Sequence, residues 1–350
     1  MTAAKTGYNV LISSYIEPEH VDRIRAVDNR LNVLYEPELL PPPRYAADHT
    51  GKSVDRSADQ DARWRKLLGE AEILFDFDHT HREDLPELAP NVRWIQATSA
   101  GIGQFVNRMN YDTRMPNTIF TTARGVHAKP LAEFCLMAML AFNKGLVRMM
   151  RDQARKHWER YAGTDLVGRT VVIIGVGVVG REVARLAQAA GMSVVGIKRD
   201  VKGIDLPSIH VDELHPREDL HAVLERAEHL VLIAPHTPET ERMIGPEELG
   251  LLPRGAILIN IGRGALVDES ALIQALNSGH LGGAALDVFA EEPLPPDSPL
   301  WEMQNVLVSP HSASTSDREN ARLTDLFCDN LRRFLAGEPL RNVLDTKKFY

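Results

Sequence analysis

Three polar side chains in the second half of the chain each follow a strand-like run, and together they could polarise a carbonyl and deliver a proton. Arg263 stands in INIGRGALVDE, Glu292 in LDVFAEEPLP and His311 in VLVSPHSAS. A guanidinium can clamp a carboxylate, and sharp backbone turns at Gly262 and Gly264 would aim it into a cleft. An imidazole titrates near neutral pH and can protonate a reacting oxygen, while a neighbouring carboxylate orients it and favours its charged form.

A glycine-rich loop upstream of these residues is typical of dinucleotide binding. Gly175, Gly177 and Gly180 form GVGVVG, directly after the strand-like TVVIIG and before the helical VVGREVARLAQAAG, which begins with Val178 and Val179. The first glycine permits a tight turn, the second lets the backbone approach a pyrophosphate, and the third lets helix and strand pack closely. The helix N-terminus would direct free N–H groups at the phosphates. We therefore predict that these five residues bind a dinucleotide.

Two cations after the next strand-like run indicate which dinucleotide it is. MSVVGI is followed by Lys198 and Arg199, where an NAD site usually carries an acid for the ribose hydroxyls. Two cations suit a 2′-phosphate, so the sequence favours NADP(H), with NAD(H) as the alternative. Asp200 comes too late to reach the ribose in this register, and a shift of register would reverse the preference. A solvated basic turn is the competing interpretation.

Short β-branched runs alternate with helical patterns, which predicts an α/β fold of parallel sheets covered by helices on both faces. The strand-like runs are residues 9–14, 72–77, 93–98, 118–123, 170–175, 192–197, 229–234, 256–260, 284–288 and 305–309. Helical patterns predict a helix around 62–70, one buried or subunit-interface helix over 130–150 and a last helix over 316–336. The Pro-rich 36–43 and the polar 48–61 are predicted to be loops.

Composition excludes several classes of protein. Of the 350 residues, 44% are hydrophobic and 25% are charged, as in an average globular protein. The net charge of -8 has the wrong sign for a nucleic-acid-binding protein, and no run is apolar enough to predict a membrane span or a signal peptide. Cys135 and Cys328 lie far apart without metal-ligand spacing, so we expect no disulfide framework, no metal site and a cytoplasmic location.

These motifs together resemble the D-isomer-specific 2-hydroxyacid dehydrogenases. The resemblance runs from about residue 127 to 311, through DLVGRTVVIIGVGVVG, LIAPHTPET, LLPRGAILINIGRGALVDE, AALDVFAEEPLP and NVLVSPH. It implies two Rossmann/flavodoxin-like, doubly wound parallel-sheet domains with the active site in an interdomain cleft, and a homodimer built around the helix at 130–150. We expect a substrate-binding domain of residues 1–126 plus 316–350 and an NAD(P)-binding domain of residues 127–315.

The resemblance also implies roles for individual residues. Arg263 would bind the substrate, Glu292 would tune the histidine, and His311 would be the acid/base that helps reduce a 2-ketoacid to a D-2-hydroxyacid. RWIQATSAGIGQF is similar to the family's substrate-carboxylate loop, where the backbone amides of Ala100 and Gly101 would hold the carboxylate. The residues expected to line the cofactor are Pro235, Thr240, Ile261 and Asp287. Two segments depart from the family pattern, Lys198 at the ribose position and the SAST that follows His311.

Two other functions compete with this prediction. A formate dehydrogenase shares the scaffold but is expected to lack a glutamate partner for the histidine, so Glu292 argues against it. A nucleotide-sensing corepressor, a binding protein, can keep all three polar residues but is expected to carry additional tails. The sequence does not specify which 2-ketoacid is the substrate; glyoxylate and hydroxypyruvate are the simplest candidates.

Overall fold

The structure, a computed structural model, describes residues 7–347. The chain divides into two compact units, which we call unit 1 (Met1–Val126 with Thr315–Tyr350) and unit 2 (His127–Ser314). Each unit is built on its own parallel β-sheet. The predicted α/β class is therefore confirmed.

Unit 1 contains a five-stranded sheet in the order β2-β1-β3-β4-β5. Its strands are β1 (Tyr8–Ile12), β2 (Leu31–Leu34), β3 (Ile73–Phe75), β4 (Trp94–Gln96) and β5 (Ile119–Thr121). Its helices are α1 (Pro18–Arg25), α2 (Ala58–Glu70), α3 (Leu85–Leu88), α4 (Gly103–Arg108), α5 (Tyr111–Arg114) and the last helix of the chain, α12 (Glu319–Ala336). Helix α12 returns to this sheet, and its Phe327 packs against Phe75 and Trp94.

Unit 2 contains a seven-stranded sheet in the order β12-β11-β10-β9-β6-β7-β8. Its strands are β6 (Thr170–Ile174), β7 (Ser193–Ile197), β8 (Glu213–His215), β9 (His229–Leu232), β10 (Ile257–Asn260), β11 (Gly283–Leu286) and β12 (Val306–Val308). Its helices are α6 (Ala128–Lys144), α7 (Leu146–Ala154), α8 (Val178–Ala189), α9 (Leu220–Leu224), α10 (Pro246–Leu251) and α11 (Glu269–Asn277). The central strands β9, β10 and β11 are buried throughout, as expected for a parallel sheet covered on both faces.

The prediction of one continuous helix over 130–150 was wrong. The structure ends α6 at Lys144 and begins α7 at Leu146, with the two axes bent by 60°. Gly145 lies between them with φ of 70°, a left-handed conformation that glycine adopts without steric cost and that ends a helix. None of the helices in residues 7–347 is by itself long and apolar enough to cross a membrane; α6 and α7 pass that test of length and composition only as a bent pair.

Two strands and one helix start were missed in the sequence. β2 is a half-exposed edge strand and β8 is a polar edge strand of three residues, so neither has the apolar run that marks a central strand. Helix α2 begins at Ala58, inside the predicted polar loop. Ser57 and Gln60 form a reciprocal capping box there. Because this start signal consists of polar residues, apolar periodicity does not reveal it.

Candidate active site

The turn that carries Arg263 is fixed by the buried Asn260, the last residue of β10. Asn260 Oδ1 accepts a hydrogen bond from the N–H of Gly262 at 3.1 Å, and its Nδ2 donates to the carbonyl of Arg263 at 3.0 Å. Arg263 Nη1 donates to the carbonyl of Gly262 at 2.6 Å. Its Nε and Nη2 have no partner among residues 7–347, so the guanidinium keeps two donors for a ligand.

The chain turns at the glycines beside Arg263, as predicted: Gly262 lies in a bend and Gly264 begins a 3-10 turn. These turns do not require left-handed backbone, since neither Gly262 nor Gly264 has a positive φ. Glycine is needed because of close packing. A Cβ on Gly264 would lie 1.9 Å from the backbone carbonyl of Phe289, and one on Gly262 would lie 2.9 Å from Leu266 Cδ1.

Glu292 and His311 are in direct contact. His311 Nδ1 lies 2.8 Å from Glu292 Oε2, and Glu292 Oε1 accepts the N–H of Phe289 at 3.0 Å. Because Gly264 packs on the same Phe289 backbone, the Arg263 turn and the Glu292 segment adjoin each other. Arg263, Glu292 and His311 follow β10, β11 and β12, three neighbouring parallel strands whose carboxyl ends meet at one sheet edge.

The loop of His311 is organised by Asp287, which is 1% exposed. Asp287 Oδ1 accepts hydrogen bonds from Ser309 Oγ at 2.6 Å and from the N–H groups of Ser312 and Ala313 at 2.8 and 2.9 Å. Burial raises the pKa of Asp287, although these hydrogen bonds and His311 act against the increase. His311 itself has φ of 53°, so the turn after Pro310 takes a conformation that few non-glycine residues adopt.

The glycine loop fits a dinucleotide by its packing. Gly175 has φ of 109°, and a Cβ there would lie 2.9 Å from the backbone nitrogen of Ala234. A Cβ on Gly180 would lie 2.2 Å from the carbonyl of Gly175, so only glycine lets α8 pack so closely. A Cβ on Gly177 meets nothing within 4 Å, which leaves open space at the start of α8. Val178 and Val179 open that helix, where N–H groups lack intrahelical acceptors.

Lys198 and Arg199 directly follow β7, the strand after the glycine loop and its helix. Ile197 ends the strand, and the N–H of Lys198 donates to the carbonyl of His215 at 3.0 Å, which pairs the ends of β7 and β8. Lys198 is half-buried and Arg199 is exposed. Asp200 Oδ1 accepts the N–H of Lys202 at 3.2 Å, so this carboxylate takes part in the following turn.

The other predicted cofactor residues lie at the carboxyl ends of β9 and β10. The hydroxyl of Thr240 donates to the carbonyl of Pro235 at 2.7 Å and accepts the N–H of Thr237 at 2.8 Å, so it stabilises the turn after β9. Ile261 is buried, and its N–H donates to the carbonyl of Leu232. These residues shape the edge of the same sheet that carries the glycine loop.

Ala100 and Gly101 belong to unit 1, whereas the other predicted site residues belong to unit 2. Both are exposed and lie between β4 and α4. Within residues 7–347, no group of three or more His, Cys, Asp or Glu could hold a metal ion.

The contributions of two residues were missed in the sequence. Asn260 was not singled out, and Asp287 was expected to line the cofactor, whereas its Oδ1 holds the loop of His311. A signal was present: each is a polar residue at the carboxyl end of an otherwise apolar strand-like run, where a buried side chain needs a partner. The sequence does not contain the identity of that partner, since Asp287 and Ser312 are 25 residues apart.

The parallel sheet, the glycine loop and the polar residues at its carboxyl edge define a dinucleotide-dependent oxidoreductase. The family model for the D-isomer specific 2-hydroxyacid dehydrogenase NAD-binding domain matches residues 136–313, about half of the chain. A glyoxylate reductase from Korarchaeum cryptofilum is 33% identical over 273 residues, covering 74% of this chain and 78% of the relative. The chain therefore belongs to the D-isomer-specific 2-hydroxyacid dehydrogenases, a family of NAD(P)-dependent enzymes.

Solved structures agree with this assignment over nearly the whole chain. A D-isomer specific 2-hydroxyacid dehydrogenase from Xanthobacter autotrophicus, in complex with NADPH and MES, has a TM-score of 0.76 and 30% identity, covering 99% of this chain and 100% of that one. An NADPH-dependent glyoxylate/hydroxypyruvate reductase from Sinorhizobium meliloti, in complex with NADP and sulfate, has a TM-score of 0.75 and 25% identity, covering 98% and 100%. The predicted family and fold class are confirmed.

Proposed function

We propose that this enzyme reduces a 2-ketoacid to the D-2-hydroxyacid with NADPH, and that His311 is its proton donor. The observation that carries the proposal is the 2.8 Å contact between His311 Nδ1 and Glu292 Oε2. Because an ionised carboxylate only accepts hydrogen bonds, the proton on the imidazole is held at Nδ1. Nε2 is then the nitrogen that exchanges a proton with substrate.

Arg263 and His311 have different roles in this proposal, Arg263 in substrate binding and His311 in proton transfer. The two unpartnered donors of Arg263, Nε and Nη2, would bind the ketoacid carboxylate. In unit 1, the backbone amides of Ala100 and Gly101 are proposed to bind a substrate carboxylate as well. A nicotinamide cofactor, when bound, supplies the hydride that reduces the keto carbon. His311 Nε2 gives its proton to the keto oxygen as negative charge develops there, and Glu292 stabilises the imidazolium that precedes this transfer.

The residues for the cofactor support this assignment. The open space at Gly177 and the N-terminus of α8 suit a pyrophosphate, and Lys198 with Arg199 suits a 2′-phosphate. Two similar proteins were solved with NADPH or NADP bound.

Initial rates with a panel of 2-ketoacids test the reaction. We expect NADPH oxidation with glyoxylate or hydroxypyruvate, the substrates in the names of two similar proteins, and a product of D configuration where the product is chiral. NADPH binding without turnover of any ketoacid would support a nucleotide-sensing protein instead. Oxidation of formate with NAD⁺ would support a formate dehydrogenase.

The Arg199→Ala variant tests the cofactor preference. A charge-assisted hydrogen bond to the 2′-phosphate favours NADPH over NADH by roughly 10 to 150-fold, and the variant should lose most of this ratio of kcat/KM values. NADH activity should change little. Arg185→Ala is the control, because Arg185 is an exposed arginine of the same unit that pairs with Glu182 on α8. A native preference that Arg199→Ala leaves intact would remove Arg199 from the phosphate site.

The enzyme is further proposed to be a cytoplasmic homodimer. Large apolar side chains are exposed along α6, α7 and the segment after them: Met137, Leu140, Leu146, Met149, Met150 and Trp158. Trp158 is 94% exposed, and an apolar surface of this kind is typical of a subunit interface. Both cysteines are buried free thiols, which suits a reducing compartment. Light scattering should give twice the mass of the chain for the native protein and the mass of a single chain for Met150→Glu.

A further inference from the structure

A strained, buried aspartate lies at the carboxyl end of β3 in unit 1. Asp76 follows Phe75 directly, is 2% exposed and has φ of 71°, a left-handed conformation that is rare outside glycine, asparagine and aspartate. Its carbonyl accepts the hydroxyl of Ser13 at 2.7 Å, and its N–H donates to the carbonyl of Gln96. These backbone contacts hold Asp76 so that its carboxylate faces the segment after β4.

The carboxylate of Asp76 replaces the missing strand partner of Thr98. The neighbours of Thr98 pair towards β5, since the N–H of Ala97 donates to Thr121 and the carbonyl of Ser99 accepts from Ala123. The N–H of Thr98 points the other way, where β3 has already ended. It donates to Asp76 Oδ1 at 3.3 Å, and the Thr98 hydroxyl donates to Asp76 Oδ2 at 3.0 Å. One side chain therefore fixes both the backbone and the side chain of Thr98.

A histidine keeps this carboxylate charged. His79 Nε2 lies 3.2 Å from Asp76 Oδ2, and His49, held by Ser14 Oγ at 3.3 Å and facing Glu319 at 3.8 Å, adds positive potential. Burial opposes ionisation of Asp76, but the two histidines, together with a hydrogen bond from the N–H of Phe77, outweigh it and hold the pKa of Asp76 below its usual value. An ionised carboxylate can accept the hydrogen bonds from Thr98 and His79 together, whereas a neutral one would bring a proton of its own.

We propose that Asp76 is a positioning residue, which through Thr98 holds the backbone of Ala100 and Gly101 in the conformation that binds the substrate carboxylate. The proposal rests on the proposed function for the part played by Ala100 and Gly101. Ser99, Ala100 and Gly101 are exposed, whereas Thr98, two residues before Ala100, is buried. The hydrogen bonds from Thr98 to Asp76, which we call the anchor, are therefore the last buried contacts before the two amides. Loss of the anchor would weaken substrate binding without touching the reacting atoms.

Two substitutions of Thr98 separate the hydrogen bond from the shape of the side chain. Thr98→Val keeps the branched shape but removes the hydroxyl, and Thr98→Ser keeps the hydroxyl. We expect Thr98→Val to raise KM for the ketoacid about tenfold, with kcat within about twofold and the Kd of NADPH unchanged. Thr98→Ser should restore KM to within about twofold of the native value. Asp76→Asn, which tolerates the left-handed backbone, should raise KM as Thr98→Val does.

Asp78 provides the matched control, because it is as deeply buried two residues away. Its carboxylate accepts from Trp64 Nε1 at 2.9 Å, His81 Nδ1 at 2.8 Å and the N–H of Thr80 at 2.9 Å, and it does not contact Thr98. Asp78→Asn should lower the melting temperature but leave KM unchanged. An equal rise of KM in Asp78→Asn, or a native KM in both Asp76→Asn and Thr98→Val, would overturn the proposal.

Hydrogen exchange tests the anchor independently of turnover. In the native protein the amide of Thr98 should exchange slowly, because it is buried and donates to Asp76 Oδ1, and Asp76→Asn should speed this exchange more than Asp78→Asn does. If no 2-ketoacid is reduced by the native enzyme, the proposed function fails while this measurement still decides whether Asp76 orders the loop. Unchanged exchange in Asp76→Asn would contradict the anchor even if the enzyme is an active reductase.

Discussion

The two units each contain a carboxylate–histidine pair, and the pairs differ in their access to solvent. In unit 2, Glu292 and His311 are 2.8 Å apart with side chains 36% and 46% exposed. In unit 1, Asp76 and His79 are 3.2 Å apart with side chains 3% and 21% exposed. In each pair one member has a left-handed backbone, His311 in the first and Asp76 in the second. These two pairs therefore place the same functional groups in two environments, one open to solvent and one in the interior.

The difference in solvent exposure determines what each pair can do. An imidazole that is half exposed can exchange a proton with substrate and solvent, which a general acid requires. A buried pair exchanges protons only at the cost of an uncompensated charge, so it acts as a fixed dipolar support. Contact between a histidine and a carboxylate is therefore weak evidence for catalysis until the exposure of the second ring nitrogen is known.

Replacement by asparagine should affect kcat very differently at His311 and at His79. His311→Asn should lower kcat by at least about 10²-fold, because the general acid is lost. His79→Asn should leave kcat within about threefold and change KM instead, because His79 supports the loop of Ala100 and Gly101. Steady-state kinetics of both variants decide the matter. Equal losses of kcat would show that solvent exposure does not distinguish a proton donor from a supporting residue.

Replacement of Arg263 should have the next largest effect. Arg263→Lys keeps the charge but loses the planar pair of donors, so KM should rise and kcat should fall, with kcat/KM reduced about 10 to 100-fold. Arg254→Lys is the control, since Arg254 is an exposed arginine that precedes β10 while Arg263 follows it. An unchanged KM in Arg263→Lys would place this arginine outside the substrate site.

Replacement of Glu292 should lower the rate less than replacement of His311 does. Glu292→Gln keeps the shape of the side chain but removes the carboxylate that stabilises the imidazolium of His311, so kcat for reduction should fall about tenfold. Asp76→Asn should keep kcat within about twofold, because its effect is expected on KM. A native kcat in Glu292→Gln would refute its role.

The smallest effect concerns stability. Asp76 raises the pKa of His79 from its usual 6.5 although burial opposes this, so the stabilisation is complete below 6.5 and is lost as pH rises through the folded-state value. The pKa of Asp76 is lowered from 3.8, so its stabilisation is lost as pH falls through the folded-state value. The pair should therefore contribute most between about pH 4 and 6.5, by about 1 kcal/mol.

Thermal unfolding of His79→Gln measures this contribution. The variant should lose more stability relative to the native protein at pH 5.5 than at pH 9. His311→Gln is the matched control, because an exposed pair contributes little to stability at either pH. A deficit in His79→Gln that does not depend on pH would mean that packing, rather than charge, sets the role of His79.

The sequence predicted those parts of the molecule that are encoded locally. The β6–α8 unit with its glycine loop, and the order of Arg263, Glu292 and His311 after successive strands, follow from runs of a few residues each. Helix α2 and the bend at Gly145 also have local signals, a capping box and a single glycine, but each is weaker than the apolar periodicity beside it. A single glycine interrupted an otherwise continuous helical pattern over 130–150.

Contacts between distant residues could not be predicted in this way. Thr98 and Asp76 are separated by 22 residues, and their hydrogen bonds exist only because β3 and β4 are paired strands whose carboxyl ends lie side by side. Likewise, the glycine at 264 is explained by the backbone of Phe289, which no pattern around Arg263 indicates.

The close approach of Gly264 to Phe289 has a consequence for redesign of this enzyme. The segments after β10 and β11 pack together through backbone atoms, so any side chain introduced at position 264 would displace the segment that leads to Glu292. A change in the arginine turn would therefore be felt at the partner of His311, although the two are far apart in sequence. The two segments have to be redesigned together, as one unit.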